Sequence, residues 1–235
     1  MPVDSKIRSN PKPEWEGFYT VPDMSRIAGI PTRTLYEWRL RGIIAPSFIV
    51  TEGKRREEGY SYAQLTIARL IRQLRTDQID FKAAAKALRH MYERLGPPSK
   101  GWRDERVYFF GKDIYVEGQD DWPVTEATKL GQTVATSLFG ELFEALRDLE
   151  DGHSILVPRE FRAYVEIDPA IMGGEPVIRG TRIPTSVIAA FRKKGRTLAR
   201  LAELYAPLKR VFLEKAIDYE RFLDDQAARA QTATA

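Results

Sequence analysis

The chain has 235 residues, 43% hydrophobic and 30% charged, with no cysteine and a formal net charge of +4. This composition supports packed cores in one large domain or two to three small ones, and it excludes disulfides, thiolate metal sites, a cysteine nucleophile and thiol redox sensing. Lys and Arg outnumber Asp and Glu by 17 to 11 over residues 1–96 and by 12 to 9 over 164–235, but are outnumbered 8 to 13 over 97–163; a polyanion would meet basic ends and be repelled by the middle.

Residues 1–17 read as a flexible polar arm with Pro2, Pro11 and Pro13. The arm lacks the apolar run of a secretory signal, and no stretch of the chain reaches the roughly 20 apolar residues needed to span a bilayer, so a cytoplasmic protein is expected. Thr20, Pro22 and Asp23 then mark a helix start, because the Thr hydroxyl and the Asp carboxylate can each cap the other's backbone N–H. That helix runs to Ala28, Gly29 breaks it, and Pro31 restarts a second helix to about Arg41 with Leu35 and Trp38 facing inward. Two short helices about a glycine-bearing turn are the helix-turn-helix plan, in which the second helix offers its outer face to the major groove. Here that face carries Thr32, Arg33, Tyr36 and Arg39, donors suited to phosphates and base edges.

A strand from Phe48, a charged tip Lys54-Arg55-Arg56 and Tyr60 follow and read as a winged hairpin. Ser61 and Gln64 then cap a helix with Leu65, Ala68, Ile71 and Leu74 on one stripe. Another helix is expected over Phe81–Leu95, ending at Gly96-Pro97-Pro98. The run Thr20 to Leu35, with Gly42-Ile43-Ile44 and Gly59-Tyr60, resembles the MerR winged helix-turn-helix over residues 18–96. The resemblance implies that the second helix and the wing touch DNA and carries over Arg33, Tyr36, Arg55 and Arg56; with Thr32 and Arg39 of the outer face and Lys54 and Tyr60 of the wing, these are the candidate DNA contacts. Tyr36 stands where that family usually carries Arg.

Residues 97–163 form an acidic middle. Arg106–Phe110 and Asp113–Val116 flank Gly111-Lys112 as a hairpin, and a helix is expected from about Thr125 to Leu149. Its acids, Glu141, Glu144 and Asp148 among them, read as a solvated face rather than a metal or acid–base cluster.

Over residues 164–223, Tyr164–Ile167 reads as a strand, Gly173-Gly174 as a turn, and Val177-Ile178 and Thr181–Ile183 as two arms about Arg179-Gly180. A helix from Pro184 to Lys194 closes at Gly195, Thr197 caps a second, and a third runs from about Leu208 to Leu223 with Val211, Phe212, Ala216, Tyr219 and Leu223 inward. Residues 224–235 read as a frayed tail. The fold class expected is mainly α with small β hairpins: a winged helix-turn-helix, a central hairpin plus helix, and a trihelical helix-turn-helix-like domain.

The run Gly173-Gly174-Glu175-Pro176-Val177-Ile178-Arg179-Gly180-Thr181-Arg182-Ile183 resembles a short family of unknown function whose members are widely predicted to be VapB-type antitoxins. Together the two resemblances imply a homodimeric antitoxin that binds its own operator DNA and neutralises a VapC-like PIN-domain toxin, with Arg179, Arg182, Arg192, Lys193, Lys194 and Arg196 facing the toxin. No catalytic residue, metal site or cofactor is expected. The alternative reading is a MerR-like transcription regulator whose C-terminal domain senses a ligand or mediates assembly.

Overall fold

The computed structural model describes residues 17–52, 55–73, 81–96, 107–110, 113–116 and 154–232. The arm over 1–16, the wing tip at Lys54 and the expected helix over 125–149 lie outside the described residues. The fold is mainly helical with short antiparallel hairpins.

Helix α1 spans Val21–Ala28 and starts where the sequence places it: the Thr20 hydroxyl accepts from the Asp23 N–H at 3.4 Å, and the Asp23 carboxylate accepts from the Thr20 N–H at 2.9 Å. Gly29, at φ 70°, ends it in the left-handed conformation that costs glycine least. Helix α2 (Thr32–Leu40) follows with Leu35 and Trp38 buried. Strands β1 (Phe48–Glu52) and β2 (Arg55–Gly59) form the wing, paired antiparallel from Phe48↔Gly59 to Glu52↔Arg55. A bridge between Tyr19 and Tyr60 lies next to the wing and ties its base to the start of the domain. Helices α3 (Tyr62–Gln73) and α4 (Phe81–Leu95) pack together, and the backbone hairpin β3 (Val107–Phe110) with β4 (Asp113–Val116) lies against α4.

The C-terminal part begins with buried Ile155, Leu156 and Val157 and a 3₁₀ turn at Arg159–Phe161. Strand β5 (Val165–Glu166) pairs antiparallel with β6 (Val177–Ile178), and the loop between them holds a second 3₁₀ turn at Met172–Gly174. The reversal at Arg179-Gly180 closes as expected: Ile178 N–H donates to Ile183 at 2.9 Å and Thr181 N–H to Ile178 at 3.0 Å. Helices α5 (Thr185–Lys193), α6 (Leu198–Leu204, capped by Thr197) and α7 (Arg210–Thr232) complete the chain.

Two expectations are corrected here. The tail expected from 224 is the last part of α7, which remains helical to Thr232. Val211 is 36% exposed and it is Leu213 that is buried, so the inward stripe of α7 starts later than the periodicity placed it.

Helix α7 joins two cores. Its first half supplies Leu213 and Ala216 to a small cluster with Ile178, Ile188 and Leu201. Its middle supplies Tyr219 and Leu223 to a larger cluster that contains Met24, Ile27, Leu35 and Trp38 of the first two helices, Leu65 and Ile71 of α3, Leu88 of α4, and Leu156, Phe161 and Val165. Phe161 packs edge-on against Tyr219 at 5.3 Å between ring centroids, an arrangement favoured by the ring quadrupoles. The winged domain therefore buries its apolar faces partly against the end of the chain.

Candidate nucleic-acid interface

An exposed helix face that meets a polyanion needs side chains free to leave the protein surface, and α2 supplies them. Arg33 has a side chain 76% exposed, with Glu37 as an i,i+4 neighbour at 3.3 Å. Tyr36 is 50% exposed. Arg33, Tyr36 and Leu40 follow at spacings of three and four, which places them on one side of the helix; Leu40 is among the most exposed apolar side chains described. Thr32 is half-buried at the first turn.

Arg39 is placed differently. Its guanidinium meets the Glu58 carboxylate of β2 at 2.7 Å, with the side chains 36% and 13% exposed. That pair pins the wing to α2 and neutralises part of the charge Arg39 would bring to a phosphate. Arg41, exposed just past the helix end, is a cation that the helix pattern passed over.

Tyr60 is corrected from a DNA contact to a core residue. It is 2% exposed and exchanges backbone hydrogen bonds with Tyr19 at 2.8 and 2.9 Å. Burial, then the Glu58 charge, raises its phenol pKa above the ordinary value. Lys54 and the side chains of Arg55 and Arg56 lie outside the described residues.

Behind this face α1 is held by α7. The Arg26 guanidinium reaches Glu220 at 2.5 Å and Asp224 at 2.9 Å. Glu220 is 4% exposed, and its other oxygen accepts from the Thr185 hydroxyl at 2.5 Å. Asp224 also takes Lys193 at 3.1 Å. Burial opposes the charge on Arg26, but the hydrogen bonds and charges of Glu220 and Asp224 outweigh it and raise its pKa.

The carbonyls at the end of α1, which no intrahelical donor can reach, are satisfied from α3 and α7. Gln226 donates to the Arg26 and Ile27 carbonyls at 3.0 and 3.3 Å. Arg69 and Arg72 each donate to the Ala28 carbonyl, at 3.2 and 3.0 Å, and to the Gln226 amide oxygen, at 3.0 and 3.2 Å. Burial and the neighbouring Arg72 charge bring Arg69 down to about 10, yet the negative end of the α1 dipole favours cations there. A further tie joins the ends of the chain: the buried Tyr19 hydroxyl donates to the Gly174 carbonyl at 2.8 Å. A Cβ on Gly174 would lie 2.0 Å from that hydroxyl, which gives the second glycine of the Gly173-Gly174 pair a packing reason.

The basic residues of the C-terminal part are scattered in environment. Arg179 is half-buried, and its guanidinium donates to the Arg162 carbonyl at 3.4 Å. Arg182, Arg192, Lys193, Lys194 and Arg196 are exposed, the last four at the end of α5 and in the turn before α6. Arg192 donates to the Arg196 carbonyl at 3.2 Å. Sequence reading missed Tyr19, Arg26, Thr185, Glu220, Asp224 and Gln226; a polar Glu and Gln at inward positions of a long amphipathic helix were the available signal.

With this geometry in place, residues 19–91 match the family described as MerR HTH family regulatory protein, and residues 165–219 match Protein of unknown function (DUF433). The chain carries a MerR-type helix-turn-helix domain and a DUF433 domain. No curated protein matches the chain. Among solved structures, a DUF433 member protein from Anabaena variabilis ATCC 29413 is 23% identical with a TM-score of 0.26, covering 46% of this chain and 99% of its own. Rv2018 from Mycobacterium tuberculosis is 14% identical with a TM-score of 0.46, covering 85% of this chain and 96% of its own. The MerR-type domain marks a DNA-binding regulator, and among the described residues no helix is long and apolar enough to cross a membrane.

Proposed function

We propose that this regulator is the antitoxin of a type II toxin–antitoxin pair: it binds its own operator through α2 and the wing, and it silences a VapC-like PIN-domain ribonuclease through the DUF433 domain. It acts as a cytoplasmic binding protein and not as an enzyme. The observation that carries the reading is the shared helix α7, which holds α1 by Glu220 and Asp224 while its other half builds the core under the exposed cations of the α5–α6 turn. DNA and a protein partner can thus be gripped at separate surfaces of one framework.

A ribonuclease of that type holds Mg²⁺ by clustered carboxylates, so arginine inserted among them, or a body set across their entrance, stops catalysis. Arg182 and the run Arg192 to Arg196 are exposed to do this, and Arg179 flanks them. A homodimer is expected, because two copies reach half-sites about one helical turn, roughly 34 Å, apart.

Co-expression with the neighbouring gene product, followed by pull-down, ribonuclease assay and operator footprinting, tests the reading. Co-purification, loss of RNA cleavage and a footprint with dyad symmetry are expected. Full inhibition by an Arg179→Ala, Arg182→Ala protein would remove those two arginines from the toxin contact, and a monomer on and off operator DNA in ultracentrifugation would overturn the dimer. The second reading, a regulator that senses a small ligand, is favoured by a cleft of about 270 Å³ between the two parts, lined by Phe18, Asp23, Met172 and Glu175 among others. Operator affinity that responds to a metabolite extract but not to the neighbouring protein would select it.

A further inference from the structure

A groove of about 240 Å³ runs between α5 and α7. Ala189, 5% exposed, and half-buried Ile217 give it an apolar wall, while Arg192, Lys193 and Arg221 are exposed at its rim. Its acids are already engaged: Glu220 by Arg26 and Thr185, and Asp224 by Arg26 and Lys193. The lining carries three cations, Arg192, Lys193 and Arg221, against two carboxylates, an excess of one positive charge at the mouth. Arg221 faces Asp218 only at 3.6 Å, with both side chains largely exposed, a pair worth little in water.

An occupant must match both features, and a nucleic-acid backbone matches only one. Phosphates would gain from the rim but would leave the apolar wall of Ala189 and Ile217 unused. We propose that the α5–α7 groove is the docking site for a segment of a partner protein in which an apolar side chain neighbours a carboxylate. This rests on the reading that the DUF433 domain holds a protein partner. The apolar group enters between Ala189 and Ile217, and the carboxylate takes Arg192 and competes with Asp224 for Lys193. Since Asp224 also holds Arg26 of α1, occupancy of the groove is felt by the helix that supports α2.

The test uses the full chain, isotope-labelled for NMR, and the acetylated peptide Leu-Asp-Leu-Glu-Leu as probe. Saturable shifts at the Ala189, Ile217 and Asp224 amides are expected, with smaller or no shifts from Ala-Asp-Ala-Glu-Ala, Leu-Lys-Leu-Lys-Leu or a duplex DNA. Arg192→Glu, at an exposed position, should weaken the peptide about fivefold. Ala189→Phe, checked for folding by circular dichroism, should abolish binding by filling the groove. Equal shifts from the lysine peptide, shifts from the duplex instead, or none from any probe would each overturn the proposal. If none appear but the neighbouring gene product still co-purifies with the Arg192→Glu protein, the groove is wrong and the antitoxin reading stands; if co-purification fails as well, both are wrong.

Discussion

The chain twice sets two short helices about a glycine-bearing turn, α1–α2 about Gly29 and α5–α6 about Gly195, and these two copies of the plan differ in where their charges go. In the first, α1 turns its only arginine, Arg26, back into the protein against Glu220 and Asp224, and α2 is left to carry exposed Arg33 and Tyr36. In the second, the cations crowd the end of α5 and the turn before α6, and Lys193 enters the same carboxylate network that holds Arg26. The acids of α7 thus stand close to the second copy's cations and behind the first copy's exposed face. A polyanion is repelled by nearby carboxylates, whereas a protein segment can pair with the cations locally, so under the proposed function the same helical plan would serve different partners according to what lies beneath it.

The most direct way to break this comparison is to remove the acid that links the copies. Glu220→Ala takes away a 4% exposed carboxylate that serves both Arg26 and Thr185. A loss of about 3 kcal/mol in urea unfolding is expected, the low end for breaking a buried pair because Arg26 keeps Asp224. Glu220→Gln, which retains hydrogen-bonding capacity, should lose less. Equal stability of the alanine variant would mean that α7 does not hold α1 through this group.

Next in size is the tie between Tyr19 and Gly174. Gly174→Ala forces a side chain onto a residue at φ 88° and into the Tyr19 hydroxyl, and a cost of about 2 kcal/mol is expected from backbone strain plus the lost bond. Tyr19→Phe, which leaves the Gly174 carbonyl buried without its donor, should cost about 1.5 kcal/mol. Thermal unfolding of both, alone and combined, checks whether they act on the same contact; a combined loss equal to the sum would separate them.

Arg33→Ala addresses the exposed face and should leave stability within about 0.5 kcal/mol. Operator affinity should fall about tenfold, with the slope of log K against log salt smaller by about 0.9, the share of one phosphate contact. Fluorescence anisotropy over a salt series measures both. An unchanged slope would remove Arg33 from the phosphate contacts and leave Arg41 and the wing as the sources of positive charge.

What could be read in advance follows from the range of each signal. The capping pair Thr20 and Asp23, the glycine stop at Gly29, the inward Leu35 and Trp38, and the helix Phe81–Leu95 are set by neighbours within a few residues, and the chain states them locally. The exposed positions of Arg33 and Tyr36 follow from the same periodicity. Tyr60 failed because an aromatic beside a charged strand is equally at home under the wing, and its burial is decided by Tyr19 some forty residues earlier. The α7 extension failed because Gln226 and Asp224 look like solvated polar residues until α1 is placed against them. The joint between the two parts joins residues up to 200 positions apart and leaves no periodic trace.

The smallest effect expected is in the acid limb of stability. Burial works against the Asp224 charge, but hydrogen bonds from Arg26 and Lys193, and their charges, prevail and hold its carboxyl below the ordinary value. A carboxyl depressed in the folded state contributes stability that is present above its unfolded pKa, about 4, and is lost as pH falls through the lower folded value. Thermal unfolding should therefore show a decline below about pH 4 that Asp224→Asn makes shallower. Because Asp224 is 45% exposed, salt should shrink the difference. Glu220 shares Arg26 with Asp224, so the same titration on a Glu220→Gln protein tells whether the link between the copies is one network or two independent contacts: an effect of Asp224→Asn on the limb that differs between the two backgrounds requires one network, and an equal effect in both makes the contacts independent.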